Sequence, residues 1–417
     1  MLYFALIAVF ILLFGLVSRR LESTIFTAPM AFTAFGLALS PLVGEHAFET
    51  EVIHTLAEIT LALVLFSDAA RIDLSLLRKD HDLPQRMLLL GLPLTIVLGT
   101  LAAAWLFAGQ LGLFAAAVLA SILAPTDAAL GQAVVTNPRV PVRIRQALNV
   151  EGGINDGIAL PAVLIFVSLA AAGQSGRGLD YWLPFVGMQV VLGPLVGLLV
   201  GGIGGRLVSL ATRTGWMNHS FQQLASLSLA IAALSLAELV HGNGFIAAFV
   251  AGITLGNLHR PICECLYEFA EAEGQLMILF TFTLFGAMLV PSALEATTPM
   301  MILYALLSLT LLRMLPVSLS LIGTRVRVET HLFLGWFGPR GIASILFGLL
   351  VLMEAEFPGR DLVFHTITVT VLLSVVLHGL TAVPGANLYG ARVESMKHED
   401  DAPEHADVGE MPLRHMA

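Results

Sequence analysis

The 417-residue chain is 57% hydrophobic and only 12% charged, with a mean hydropathy of +0.86. A water-soluble domain carries about 25% charged residues, so this chain cannot clothe itself in a solvated surface and must use a bilayer as much of its solvent. Its formal charge of −9 excludes the electrostatics of a nucleic-acid binder, and its two cysteines, Cys263 and Cys265, make neither a disulfide framework nor a metal-ligand set.

A spanning helix needs ~20 mostly apolar residues. Thirteen segments are predicted to qualify, over 2–18, 25–43, 51–69, 86–108, 112–136, 142–172, 182–210, 219–240, 243–258, 269–294, 299–323, 330–354 and 361–386. The first has no preceding positive charge and no evident cleavage site, and Arg19 and Arg20 follow it. It is expected as a retained helix with its N-terminus outside. The ninth is short and holds Gly252 and Gly256. With this count, 17 of the 21 Lys and Arg fall in inside loops and the tail, against Arg177 and Arg360 outside. That asymmetry supports both the count and a cytoplasmic C-terminus. The segment Gly201-Gly202-Ile203-Gly204-Gly205 sits in an apolar span, where close helix packing explains it better than a phosphate loop. The tail from about Arg392 has no apolar periodicity and is expected to be disordered; its His398, His405 and His415 leave a pH-sensing or metal-binding role open.

Two spans are punctuated. The fifth contains Ala124-Pro125-Thr126-Asp127 and the twelfth Gly338-Pro339-Arg340-Gly341. Proline removes a helix hydrogen bond, and such a break survives in a membrane only where protein or a water-filled cavity satisfies the freed groups. The two spans are seven apart, so they run in opposite directions, and spans one to six and eight to thirteen can form inverted repeats. Paired interrupted helices of this kind point to a transport site near the midplane. The halves share little sequence identity.

Charges inside spans cost at least ~2.5–3.5 kcal/mol and are functional candidates. The sixth span carries Glu151, Asn155 and Asp156 within six residues. Asp127 at the fifth-span break can cap broken helix ends or bind a cation directly. Arg340 cannot neutralise itself and needs an anion: Glu151 is the natural partner, leaving Asp156 as the free carboxylate, and Asp127 competes. Arg313 in span eleven can snorkel inward. Asp68 near the end of span three is an interfacial charge beside Arg71 or an outer ligand. Glu264, Glu268 and Glu271 form a solvated stripe or an ion-attracting vestibule.

Thr126-Asp127 in the interrupted fifth span, Glu151 followed by Asn155-Asp156 in the sixth, and Phe337-Gly338-Pro339-Arg340-Gly341 in the twelfth together resemble the NhaP/NHE branch of the cation/proton antiporter superfamily, over nearly the whole chain. The resemblance implies an all-α core domain of spans four to six and eleven to thirteen (83–173 and 298–390), a homodimerising scaffold (1–82 and 174–297) and a tail (391–417). It implies that Asp156 carries ion and proton, that Thr126 and Asp127 sit at the helix crossing, that Glu151 and Arg340 form a structural ion pair, and that Asp68 matches a third-span acidic position. Relatives often have Ser directly after the sixth-span Glu; here it is Gly152.

The expected function is therefore exchange of a monovalent cation, Na⁺ first and Li⁺ or K⁺ otherwise, for H⁺ in the cell membrane, with the cation at Asp156 and Thr126 and no cofactor. Asn155 cannot take up a proton here, which predicts electroneutral 1:1 exchange. A K⁺/H⁺ antiporter, a cation channel or uniporter, and an organic-anion symporter are the competing readings. No nucleophile-and-base pair, metal cluster or phosphate loop suggests an enzyme.

Overall fold

A computed structural model describes residues 2–21, 24–42, 50–80, 82–175, 179–258, 274–395 and 403–412. Cys263, Cys265 and the Glu264–Glu268–Glu271 stripe lie outside the described residues, as do Arg177, Arg260, Lys397, His398, Arg414 and His415.

Among the described residues the secondary structure is helical throughout. The rods, in chain order, are α1 (Leu2–Leu21), α2 (Ala28–Leu39), α3 (Thr50–Ala70), α4 (Asp82–Leu106), α5 (Leu113–Ile122, resuming at Gln132–Val135) and α6 (Val142–Ser175). There follow α7 (Leu179–Leu199, extending to Arg213), α8 (His219–Leu239), α9 (Gly244–Leu258), α10 (Gly274–Ala296) and α11 (Pro299–Leu309, then Leu311–Ser320). The last two are α12 (Val328–Trp336, then Ile342–Glu354) and α13 (Arg360–Glu394). These follow the thirteen predicted spans in order. Among the described residues, seven rods are long and apolar enough to cross a membrane outright: α4, α6, α7, α8, α10, α11 and α13.

Apolar residues surround most of these rods, and the bilayer lets the outer ones stay exposed. Leu89, Trp105, Leu199, Leu207 and Leu239 all face outward. Only 22% of the apolar window of α7 is buried against 61% in α13, so α7 runs at the periphery and α13 through the centre. Turns of π-helix interrupt α4 at Met87–Gly91, α7 at Val200–Gly204 and α10 at Phe285–Leu289, where an extra residue per turn bends the rod.

The short ninth span is secured by its glycines. A Cβ at Gly252 would collide with the carbonyl of Phe66, and one at Gly256 with that of Ala70, so α9 lies backbone to backbone on α3. A second such seam joins α2 to α10, where Gly36 meets the carbonyl of Thr283 and Gly286 that of Thr33. Adding seven to α2 and α3 gives α9 and α10. The two seams are thus counterparts in the two halves, a symmetry that side-chain identity does not reveal. A Cβ at Gly201, in the glycine-rich run, would likewise stand only 2.5 Å from the Ala251 carbonyl of α9, as close packing requires.

The tail departs from expectation. Residues 391–394 continue α13, and 403–412 pack on the ends of α6 and α12. Glu404, only 1% exposed, accepts the backbone N–H of Arg327 at 2.8 Å and the hydroxyl of Thr330 at 3.0 Å, which caps the start of α12 from outside. The amide of Gln146 exchanges two hydrogen bonds with the backbone of Met411, and Asn149 donates to the carbonyl of Pro412 at 3.3 Å. Backbone hydrogen bonds need no apolar pattern, which is why periodicity missed this segment.

Candidate ion site

The breaks in α5 and α12 meet. The N–H of Asp127 donates to the carbonyl of Pro339 at 2.8 Å. Its carboxylate then serves both helices: Oδ1 accepts from Ala129 N at 2.7 Å and Leu130 N at 3.3 Å, and Oδ2 accepts from Ile342 N at 2.6 Å. Ile342 opens the second half of α12, so an anionic cap sits where the helix dipole is positive. In return the Ser344 hydroxyl of α12 donates to the carbonyl of Ile122, the last residue of the first half of α5, at 2.9 Å. Gly341 has no Cβ, and one there would collide with Asp127 Oδ2. Asp127 therefore acts as a helix cap in this geometry, one of the two roles its sequence position left open.

The sixth helix lies against this crossing. Asn155 Nδ2 donates to the Thr126 carbonyl at 3.1 Å and to Thr126 Oγ1 at 2.6 Å. A carbonyl only accepts, so the amide nitrogen must face Thr126. Asn155 Oδ1 is left buried and without a hydrogen-bond donor among the described residues. Asp156 follows directly and is 7% exposed. Its neighbours Gly153 and Gly157 face other helices: a Cβ at Gly153 would lie 3.2 Å from Ile72 Cδ1 and 3.7 Å from the Asp68 carbonyl, and one at Gly157 would run into the ring of Phe249 in α9. Asp156 thus sits where α6 meets α3 and α9, with buried Asp68 in the adjoining turn. At Gly152 a Cβ would stand 3.2 Å from that of Ala128, so the missing side chain lets α6 close on the α5 break.

The expected Glu151–Arg340 ion pair is corrected. Glu151 pairs with Arg313 at 2.6 Å, with side chains 2% and 1% exposed. Arg313 does not snorkel. The rod of α11 breaks at Thr310, whose φ of −114° and ψ of −97° are not helical, and the next turn carries Arg313 inward. Arg340 is fully buried but turns back on its own segment, donating from Nη1 to the Gly338 carbonyl at 2.6 Å. Its backbone N–H goes to Ser374 Oγ at 2.7 Å. The break in α12 supplies a local carbonyl, and Glu151 is already taken. Ser344, Ser374 and His378 hold the crossing and were not singled out from sequence, although three polar residues at helical spacing (Ser374, His378, Thr381) in an apolar rod were a usable signal.

A cavity of about 500 Å³ opens beside the second half of α5, lined by Leu130, Gln132, Thr136, Thr27 and Gln275 among others. Its lining reaches Ala129 and Leu130, two and three residues from Asp127. No group of three His, Cys, Asp or Glu is placed to hold a metal among the described residues.

Two oppositely directed, mutually capped broken helices beside a buried carboxylate define a polytopic secondary carrier of the inverted-repeat type. The profile described as "Sodium/hydrogen exchanger, transmembrane" matches residues 5–387, and the chain belongs to that family. It is 26% identical over 361 residues to the K(+)/H(+) antiporter NhaP of Alkalimonas amylolytica, covering 84% of this chain and 61% of that one. The Na(+)/H(+) antiporter NhaP of Pseudomonas aeruginosa is 27% identical over 342 residues, 78% of each chain. The structure of the sodium proton antiporter MjNhaP1 from Methanocaldococcus jannaschii at pH 8 matches with a TM-score of 0.76 at 19% identity, over 94% of this chain and 98% of that one. The all-α polytopic fold is therefore shared. This chain spans less than two thirds of the length of the potassium-named relative.

Proposed function

We propose that the protein exchanges one monovalent cation for one proton at Asp156 by alternating access. The observation that carries this is the oxygen pair on α6. Asn155 Oδ1, buried and lacking a donor among the described residues while its nitrogen is held by Thr126, belongs to the residue just before buried Asp156 on α6. Hard monovalent cations bind such oxygens, and a proton on Asp156 competes for the same place. Glu151 is committed to Arg313, and Asp127 to the start of the second half of α12 and the turn at Ala129 and Leu130. Asn155 cannot titrate here, so one cation replaces one proton and exchange is electroneutral.

The core in this reading is 83–173 with 298–390, moving against a homodimerising scaffold of 1–82 and 174–297 around the seam at Gly153 and Gly157. The N-terminus is outside and the C-terminus cytoplasmic, as the Lys and Arg distribution supports, in the cell membrane. The cavity beside Thr136 is then the cytoplasmic approach. Na⁺ is the first choice of cargo. K⁺ is the second, favoured by the relative named as a K(+)/H(+) antiporter.

The test is reconstitution with an internal pH dye and a clamped membrane potential. Proton movement on adding Na⁺, Li⁺ or K⁺, insensitive to voltage and abolished by Asp156→Asn, is the expected result. Cation flux without proton movement would mean a channel, and voltage-driven exchange would sink the electroneutral count.

A further inference from the structure

The central rod α13 grips both ends of the break in α12. Trp336 closes the first half, and its indole N–H donates to Thr381 Oγ1 at 3.0 Å. The Trp336 carbonyl, which already accepts from Gly338 N at 2.8 Å, lies 2.9 Å from His378 Nε2. On the far side, Arg340 N donates to Ser374 Oγ, which lies 3.1 Å from His378 Nδ1. Ser374, His378 and Thr381 stand at i, i+4 and i+7, so all three share one face of α13.

The Trp336 carbonyl fixes the direction of one of these bonds. A carbonyl only accepts, so His378 Nε2 carries a hydrogen. Ser374 Oγ receives the Arg340 N–H, and His378 Nδ1 lies 3.1 Å from both that hydroxyl and the Ser374 carbonyl. Through Nε2 on the Trp336 carbonyl and Nδ1 on Ser374, the histidine ties Trp336 to Arg340 across residues 337–339. Pro339 and Ile342, on either side of Arg340 and Gly341, in turn hold Asp127, and Asp127 adjoins Thr126, which holds Asn155. His378 is 1% exposed, where an apolar side chain would fill the room without burying two ring nitrogens.

We propose that His378 is a positioning residue for transport: through Trp336 and Ser374 it fixes the α12 break against Asp127, and so sets cation affinity at the α6 site. The inference rests on the assignment of ion exchange to Asp156. A loosened break displaces the oxygens around residues 126 and 127, which alters the apparent KM for the cation. A defect of folding alone lowers the active fraction and with it Vmax, leaving KM unchanged.

The experiment measures cation-driven proton movement in proteoliposomes, normalised to folded protein, for His378→Leu, His378→Gln, Ser374→Ala and the Ser374→Ala/His378→Leu pair, with Asp156→Asn alongside. The expected result is a rise in KM of about three- to tenfold for the leucine and alanine variants, no further rise in the pair, and recovery to within about twofold in His378→Gln, whose amide donates and accepts in place of the two ring nitrogens. A wild-type KM in folded His378→Leu overturns the proposal, as does a glutamine variant as impaired as the leucine one. Should the leucine variant fail to fold, the KM of Ser374→Ala decides in the same way. Exchange retained by Asp156→Asn overturns the Asp156 reading itself, whereas its loss with an unmoved KM in the α13 variants overturns the positioning role alone.

Discussion

Arg313 and Glu151 are 162 residues apart in the chain and 2.6 Å apart in the fold, each almost wholly excluded from solvent. Two charges so placed are costly to separate. Removing one partner of a buried pair destabilises by about 3–5 kcal/mol, because the other is left unmatched. Arg313→Ala and Glu151→Ala are each expected to lower the melting temperature of the detergent-solubilised protein strongly, and Arg313→Met with Glu151→Leu to recover much of it. If Glu151→Gln instead rescued Arg340→Ala and not Arg313→Ala, the pairing described here would be wrong.

Asp127 makes three hydrogen bonds to backbone N–H groups. Bonds to a charged acceptor contribute about 1.5–3 kcal/mol each. Asp127→Ala should therefore cost more in thermal stability than Asp127→Asn, which keeps one acceptor. Folded Asp127→Asn should retain the wild-type ratio of protons to cations. A changed ratio, read from the opposing ion gradients at which net exchange stops, would make Asp127 a titrating ligand rather than a cap.

Gly152→Ser tests the shape of the ion shell. Its Cβ would stand 3.2 Å from that of Ala128, a contact that a shift of a few tenths of an ångström relieves. The variant should fold, and the hydroxyl it adds beside the break should shift relative KM values across Li⁺, Na⁺ and K⁺ by about threefold or more. An unchanged selectivity series would place position 152 outside the shell.

Competition at one carboxylate dictates a pH law. Where Asp156 is mostly protonated, each unit of falling pH should raise the apparent cation KM by up to about tenfold, while saturating cation restores the same Vmax. A Vmax that collapses with unaltered KM would indicate a separate proton site.

The tail gives a structural prediction. Deleting residues 396–417 removes the Glu404 cap on α12 and uncovers Gln146. A cysteine at position 146 should react with a water-soluble maleimide many-fold faster in the deleted chain than in the full one, and the deleted chain should melt a few degrees lower. Equal reactivity would show that the tail does not cover α6 in solution.

Much of this site was legible before any coordinates. Pro125 and Pro339 announced the breaks, and two carboxylates with an amide on α6 announced the polar load. The partner of Glu151 was not legible. It depends on a kink at Thr310 that no proline or glycine marks, followed by one turn that swings Arg313 inward. The docked tail was illegible for a different reason: Gln146 and Asn149 hold it by its backbone, which leaves no trace in side-chain pattern. His378 lay in plain view on α13, but a histidine in an apolar rod acquires meaning only when the facing carbonyl is known.

The double cap at Asp127 also bears on how the protein is made. Its acceptor bond to Ile342 links residues 215 positions apart, and ribosomes add about 5–20 residues per second. The α5 break therefore enters the membrane roughly 10–40 s before the strand of chain that completes it. For that interval Asp127 lacks the N–H of Ile342, which only the late-arriving half supplies. Assembly of the crossing is thus an act of the whole chain, and a nascent first half should be a preferred client of membrane chaperones and quality-control proteases.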